Sequence, residues 1–143
     1  MSLVPSAAPT TTRSPPVAPE PCLFCDIIAG RAQAKGLRRY AGSVAFTPLN
    51  PATRGHTLVV PVRHHEGVWD VDRSIWQGLM GVVHLVSGKL RQELRPDGIN
   101  IIQSTGEAAT QTVPHLHIHV VPRYAGDAMG PMWPAKEVSH ANP

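Results

Sequence analysis

The chain has 143 residues, enough for one domain with its own core, and 42% hydrophobic with 16% charged residues is a globular composition. The net charge of +3 comes from scattered basic residues, so the charge balance does not call for a nucleic-acid partner, although it suits a protein that binds small anions. No apolar run approaches the roughly 20 residues that cross a bilayer, and residues 1–21 lack the apolar core of a secretory signal, so a cytoplasmic protein without a membrane partner is expected.

In chain order, residues 1–21 hold Pro5, Pro9, Pro15, Pro16, Pro19 and Pro21 among Ala, Ser and Thr. Such a stretch buries too little apolar surface to offset its ordering entropy, and it reads as a disordered, partly polyproline-II arm. The domain is expected to occupy residues 22–143. It opens on Cys22-Leu23-Phe24-Cys25, too short a loop for a useful disulfide staple. In a reducing compartment this pair reads as half a metal site or a redox pair. Leu23–Ala29 suits a short helix ended by Gly30. Gly36–Tyr40 and Ser43–Thr47 form a candidate hairpin around Ala41-Gly42, and Pro48-Leu49-Asn50-Pro51 breaks the regularity. Thr57–Pro61 reads as a buried strand.

One long helix follows, with Asp72 as its cap. Ile75, Leu79, Val82, Val83, Val86, Leu90 and Leu94 recur at steps of three and four, and Arg95-Pro96-Asp97-Gly98 stops the pattern. Ile99–Ser104 is the next strand candidate. The run from His115 to Val121 is the last, and Pro122–Pro143 reads as irregular. The order predicts an α+β fold with a largely antiparallel sheet.

The last strand carries the chemistry. On a strand, residues i, i+2 and i+4 share a face, so His115, His117 and His119 project together while Leu116, Ile118 and Val120 point into a core. Three aligned imidazoles can serve nucleophilic or acid–base chemistry, or can form a metal tract.

These residues match a known pattern. His115-Leu116-His117-Ile118-His119-Val120-Val121 is a complete His-φ-His-φ-His-φ-φ signature, with φ hydrophobic. Three further blocks occur in the right order: Cys-Leu-Phe-Cys-Asp-Ile-Ile-Ala-Gly, Arg-Gly-His-Thr-Leu-Val-Val-Pro, and Gly-Glu-Ala-Ala-Thr-Gln-Thr-Val with a following Pro-Arg-Tyr. From Cys22 to about Trp133 the chain resembles the histidine-triad (HIT) family of nucleotide hydrolases and transferases. The resemblance implies a five-stranded antiparallel sheet per protomer, with one long and one short N-terminal helix, continued across a homodimer.

It also implies a mechanism and a site. His117 matches the nucleophile that displaces the leaving group at an α-phosphate, giving a nucleotidyl-histidine intermediate that water resolves. His115 holds that ring through its backbone carbonyl. His119 matches the residue that hydrogen-bonds the α-phosphate region, and His56 completes the network. Gln111 and Thr112 match positions that bind phosphate oxygens or the leaving group. Trp133 matches a tail tryptophan that approaches the site. Purine nucleoside phosphoramidates or related conjugates are the implied substrates. A dinucleoside-polyphosphate hydrolase or phosphorylase, or a nucleotide-binding adaptor with little turnover, is the alternative.

Two positions depart from the pattern. Pro48 stands where many relatives carry Asp or Asn for the ribose hydroxyls, with Asn50 nearby, and Ser104 stands where Asn is common. Some relatives also bind zinc with the cysteine hook and two histidines, which here are Cys22, Cys25, His64 and His115. Such a structural Zn2+ site has four protein ligands and no open position for chemistry.

Overall fold

Cys22 ends an extended segment (φ −128°), and its Sγ accepts the N–H of Cys25, which starts the first helix, α1 (Leu23–Ala29). Gly30 closes α1 in the left-handed conformation at φ 82°. Strands β1 (Lys35–Tyr40), β2 (Ser43–Thr47) and β3 (Thr57–Pro61) follow. Then come a 3-10 turn at Val68–Asp70, the long helix α2 (Arg73–Leu94), β4 (Gly98–Gln103), a second 3-10 turn at Glu107–Ala109, and β5 (Ile118–Arg123). The computed structural model describes residues 21–132. The proline-rich arm before Pro21, together with Trp133 and His140, lies outside the described residues. No helix among the described residues is long and apolar enough to cross a membrane.

The strands form one five-stranded sheet in the order β1-β2-β3-β5-β4, with every pair antiparallel. Alternation at period two divides its side chains between two cores. On one face Ala45, Val59, Leu116, Ile118 and Val120 pack against Leu79, Val83, Val86 and Leu90 of α2. On the other, Val44, Phe46, Leu58 and Val60 pack against Cys22 and against Phe24 and Ile27 of α1. The histidines alternate with the helix-facing residues, so they emerge on the α1 face.

The expected elements recur with local differences. Asp72 sits at the cap position of α2, but its carboxylate makes no capping bond; its carbonyl accepts the N–H of Trp76 at 2.9 Å. β1 begins at Lys35, and β4 is shifted one residue earlier than Ile99–Ser104. β5 begins at Ile118 rather than at His115. Its ladder with β3 runs only from Val120 to Ile118, because Pro61 at the far end of β3 has no N–H to offer. Leu116 instead donates to the carbonyl of His65 at 2.6 Å, so the alternation persists where the ladder has stopped. At its other end β5 runs on through Pro122 to Arg123, where only β4 still pairs with it.

One glycine fixes the approach to the site. Gly55 has φ +90°, and a Cβ there would stand 2.5 Å from Leu94 Cδ1 and 3.1 Å from Pro122 Cγ. The close approach seats the turn before β3 on both α2 and β5.

Candidate active site and metal centre

His117 is buried, and its Nδ1 lies 2.8 Å from the carbonyl oxygen of His115. A carbonyl only accepts, so Nδ1 carries the proton and Nε2 keeps its lone pair. The Phe24 ring meets the His117 ring edge-on at 5.2 Å between centroids and limits its rotation. Burial pushes the His117 pKa below its ordinary value, and the bond to His115 opposes that only in part. The ring is therefore a neutral base near pH 7.

His119 lies next along the segment, 5.0 Å from His117 between ring centroids. Its Nδ1 is 2.9 Å from His56 Nε2, and His56 Nδ1 accepts the peptide N–H of Ala52 at 2.9 Å. Burial lowers both rings, and the neighbouring His117 and His56 add to it at His119, which falls to about 4. All three imidazoles border a cavity of about 820 Å³. Phe24, Ile27, Phe46 and Leu58 supply an apolar wall, and the more exposed Lys35, Pro48, Asn50 and Thr112 form the rim. No aspartate or glutamate among the described residues lines the cavity. A planar apolar body with an anionic group at the histidine end fits this lining.

Gln111 and Ser104 are not among the walls. The Gln111 amide bridges backbone: Nε2 donates to Glu66 O at 2.7 Å and to Val113 O at 3.0 Å, and Oε1 accepts the Gly106 N–H at 2.7 Å. The sequence motifs mark neither the apolar wall nor the Ala52 N–H. Phe24 and Ile27 sit three apart on α1, a signal a helix-face reading would have found; a backbone donor leaves no such mark.

On the far side of His115 the second site appears. Its Nε2 is 3.1 Å from Pro61 O, so the proton lies there and Nδ1 presents a lone pair. That Nδ1 meets Cys22 Sγ and Cys25 Sγ at 3.5 Å each and His64 Nδ1 at 3.2 Å. His64 Nδ1 meets the same two sulfurs at 3.6 and 3.4 Å. Tetrahedral coordination with zinc-like bonds of about 2.3 Å to sulfur and about 2.05 Å to nitrogen requires S···N edges of about 3.5 Å and N···N edges of about 3.3 Å. The four S···N edges and the N···N edge match that tetrahedron, and all four atoms lie within 4.8 Å of one another, so these residues can hold a metal ion. Without a cation, burial and then the neighbouring Cys22 raise the Cys25 thiol to about 11, so metal uptake there displaces protons. His65, the next residue, gives its carbonyl to Leu116 and is not part of the quartet.

A five-stranded antiparallel sheet that sets three alternating histidines beside a fourth, with a cysteine–histidine quartet behind them, defines a histidine-triad protein. Residues 31–126 match the family model described as the HIT domain, and the chain belongs to that family. Protein hit of Bacillus subtilis is 36% identical over 115 residues, which cover 80% of this chain and 79% of that protein. A zinc-bound histidine triad family protein from Mycobacterium smegmatis superimposes with a TM-score of 0.72 at 37% identity, covering 77% of this chain and 80% of that one. A hypothetical histidine triad nucleotide-binding protein from Sulfolobus tokodaii gives 0.71 at 29% identity, covering 81% and 83%.

Proposed function

We propose that the protein binds nucleotides and transfers a nucleotidyl group from an α-phosphate through His117, as a hydrolase or transferase of purine nucleoside phosphoramidates or related conjugates. The observation that carries the reading is the His117 ring: its Nδ1–H is tied to His115 and it borders a cavity with His119, His56 and Thr112. A neutral nucleophile suits a phosphorus shielded by negative oxygens. The Nε2 lone pair attacks the phosphorus, the bond to the leaving group breaks, and the leaving group departs with that electron pair and takes up a proton from solvent, an amine thus leaving neutral. Water then attacks the same phosphorus, the N–P bond returns its pair to Nε2, and the water gives up a proton to solvent. Donors around the cavity stabilise the charge that develops on the phosphoryl oxygens. The nucleotide-binding name of the Sulfolobus tokodaii relative supports the substrate class.

Zinc is the proposed occupant of Cys22, Cys25, His64 and His115, supported by the edge lengths and by the zinc-bound Mycobacterium smegmatis relative. When bound, it supplies a structural tie between α1 and the histidine segment. The working form is proposed to be a cytoplasmic homodimer. The outer edge of β4, unpaired among the described residues, and the exposed Ile99 and Ile101 support the dimer.

A second reading rests on Pro48, which offers the rim no side-chain acceptor for a ribose: a nucleotide-binding protein with little turnover. The test is hydrolysis of a purine nucleoside phosphoramidate beside calorimetry with the nucleoside monophosphate. Turnover that disappears in His117→Ala, with monophosphate binding retained, supports the enzyme. Binding without turnover in the unaltered chain supports the second reading. Undiminished turnover in His117→Ala refutes the assignment of the nucleophile.

A further inference from the structure

The proton pattern of the His56–His119 pair is set by one backbone group. We propose that the Ala52 peptide N–H is a positioning group of the site, orienting the pair so that His119 presents an N–H to the molecule that His117 attacks. This rests on the nucleotidyl-transfer reading of the cavity.

The chain of donors can be followed atom by atom. An amide nitrogen only donates, so His56 Nδ1, 2.9 Å from Ala52 N, is an acceptor. The neutral His56 ring then carries its proton on Nε2. That nitrogen is 2.9 Å from His119 Nδ1, which must accept. His119 therefore carries its own proton on Nε2. The opposite pattern would put a His56 Nδ1–H against the Ala52 N–H, leaving two donors facing each other at the edge of the buried His56 ring.

The turn that holds Ala52 is anchored to the strand that carries His119. Thr53 Oγ1 donates to Pro122 O at 2.6 Å, and the Tyr124 hydroxyl donates to Arg54 O at 2.8 Å. His56 N donates to Thr53 O at 3.2 Å, and Gly55 packs against Leu94 and Pro122. The N–H is thus fixed relative to β5.

The chemical consequence is specific. A singly protonated His119 can donate a hydrogen bond to a phosphoryl oxygen or leaving atom without surrendering the proton. Charging the pair would require a proton on His56 Nδ1, which the Ala52 N–H opposes. The titratable neighbours are His117 on the same segment and Lys35 at the rim; among the described residues no carboxylate lines the cavity to favour the charged form.

The ring nitrogens of uniformly 15N-labelled full-length protein, read by NMR at neutral pH, test this directly. The expected pattern is Nε2 protonated and Nδ1 bare in both His56 and His119. A His56 ring protonated on Nδ1 overturns the proposal. Two variants separate the N–H from the shape of the turn. Ala52→Gly keeps the donor and should hold kcat within about threefold. Ala52→Pro deletes it and should lower kcat by about 10- to 100-fold with little change in KM, an indirect loss smaller than that of a direct oxyanion donor. It should also give mixed tautomers at His56. A folded Ala52→Pro with unchanged kcat, or an equal loss in Ala52→Gly, overturns the proposal. If Ala52→Pro does not fold, the nitrogen pattern of the unaltered chain decides alone. That pattern is measurable whether or not the protein turns over a nucleotide conjugate, so failure of the functional reading remains distinguishable from failure of this one.

Discussion

The Nδ1–H of His117 donates to the backbone carbonyl of His115, 2.8 Å away, while the His115 ring turns its own Nδ1 toward Cys22, Cys25 and His64. One residue thus serves two sites, with its carbonyl orienting the proposed nucleophile and its imidazole completing the metal quartet. Anything that loosens the ring of His115 will loosen the carbonyl that holds His117.

Metal removal tests that link. Protein purified without chelator is expected to hold about one zinc per chain. Stripping it should lower Tm and reduce kcat about tenfold, in the range seen when groups behind a metal ligand or nucleophile are disturbed. Cys25→Ser should reproduce both losses, and added zinc should rescue the stripped native protein but not the variant. Elemental analysis and thermal unfolding check the outcome. Full activity in metal-free protein would separate the two sites.

Gln111 offers a second test, because its amide has no hydrogen left to give. Both Nε2 hydrogens go to Glu66 O and Val113 O, and Oε1 takes the Gly106 N–H. In this conformation the side chain influences a phosphate through the loop that carries Thr112. Gln111→Leu should cost about 2 kcal/mol of stability, from three lost hydrogen bonds of roughly 1 kcal/mol each, partly offset by the apolar replacement. It should weaken binding of a purine nucleoside monophosphate several-fold and leave binding of the bare nucleoside unchanged. Equal losses for the two ligands would place the effect outside the phosphate end.

Elements held by local signals were legible in the sequence. The cysteine hook and Gly30 mark α1 to the residue, and the three-and-four spacing from Ile75 to Leu94 marks α2. The histidine alternation correctly separates the two faces of the last strand. It misplaces where β5 begins, because alternation reports which way side chains point and not whether Pro61 has a hydrogen to donate. The strand order is set by contacts distant in sequence. The partners of Gln111 and His56 are backbone groups, which any residue type supplies, so their roles emerge only from the folded geometry.

Acid should destabilise the protein in a defined window. An unfolded histidine takes up a proton near 6.5, whereas burial, with His117 and His56 close by, holds folded His119 to about 4. Burial lowers His56 and His117 in the same direction. As pH falls through 6.5 toward 4, the unfolded chain binds these protons first, so the stability of the fold declines across that interval. Above pH 7 both states are neutral at these rings and they contribute no slope. Urea unfolding midpoints measured from pH 8 to pH 4 should be flat at first and then fall. A midpoint that rises on acidification would contradict the buried neutral imidazoles.

The proposed dimer can be tested at one side chain. β4 is the outer strand next to β5, so one of its backbone edges is unpaired among the described residues. Ile101 stands opposite Val120 in the ladder and shares its helix-facing side, yet it is 47% exposed, and α2 exposes Leu85 by 51% on the same side. An unpaired edge flanked by apolar side chains invites pairing with a second copy of itself. Ile101→Lys places a charge at that edge without touching the buried core. Sedimentation should report a dimer for the native chain and a monomer for the variant at micromolar concentration, with Tm falling as the mutual stabilisation is lost. The three histidines around the cavity all come from one chain, so the separated variant should still bind a nucleoside monophosphate. A native chain that sediments as a monomer, or a variant that remains dimeric, would remove β4 as the joint.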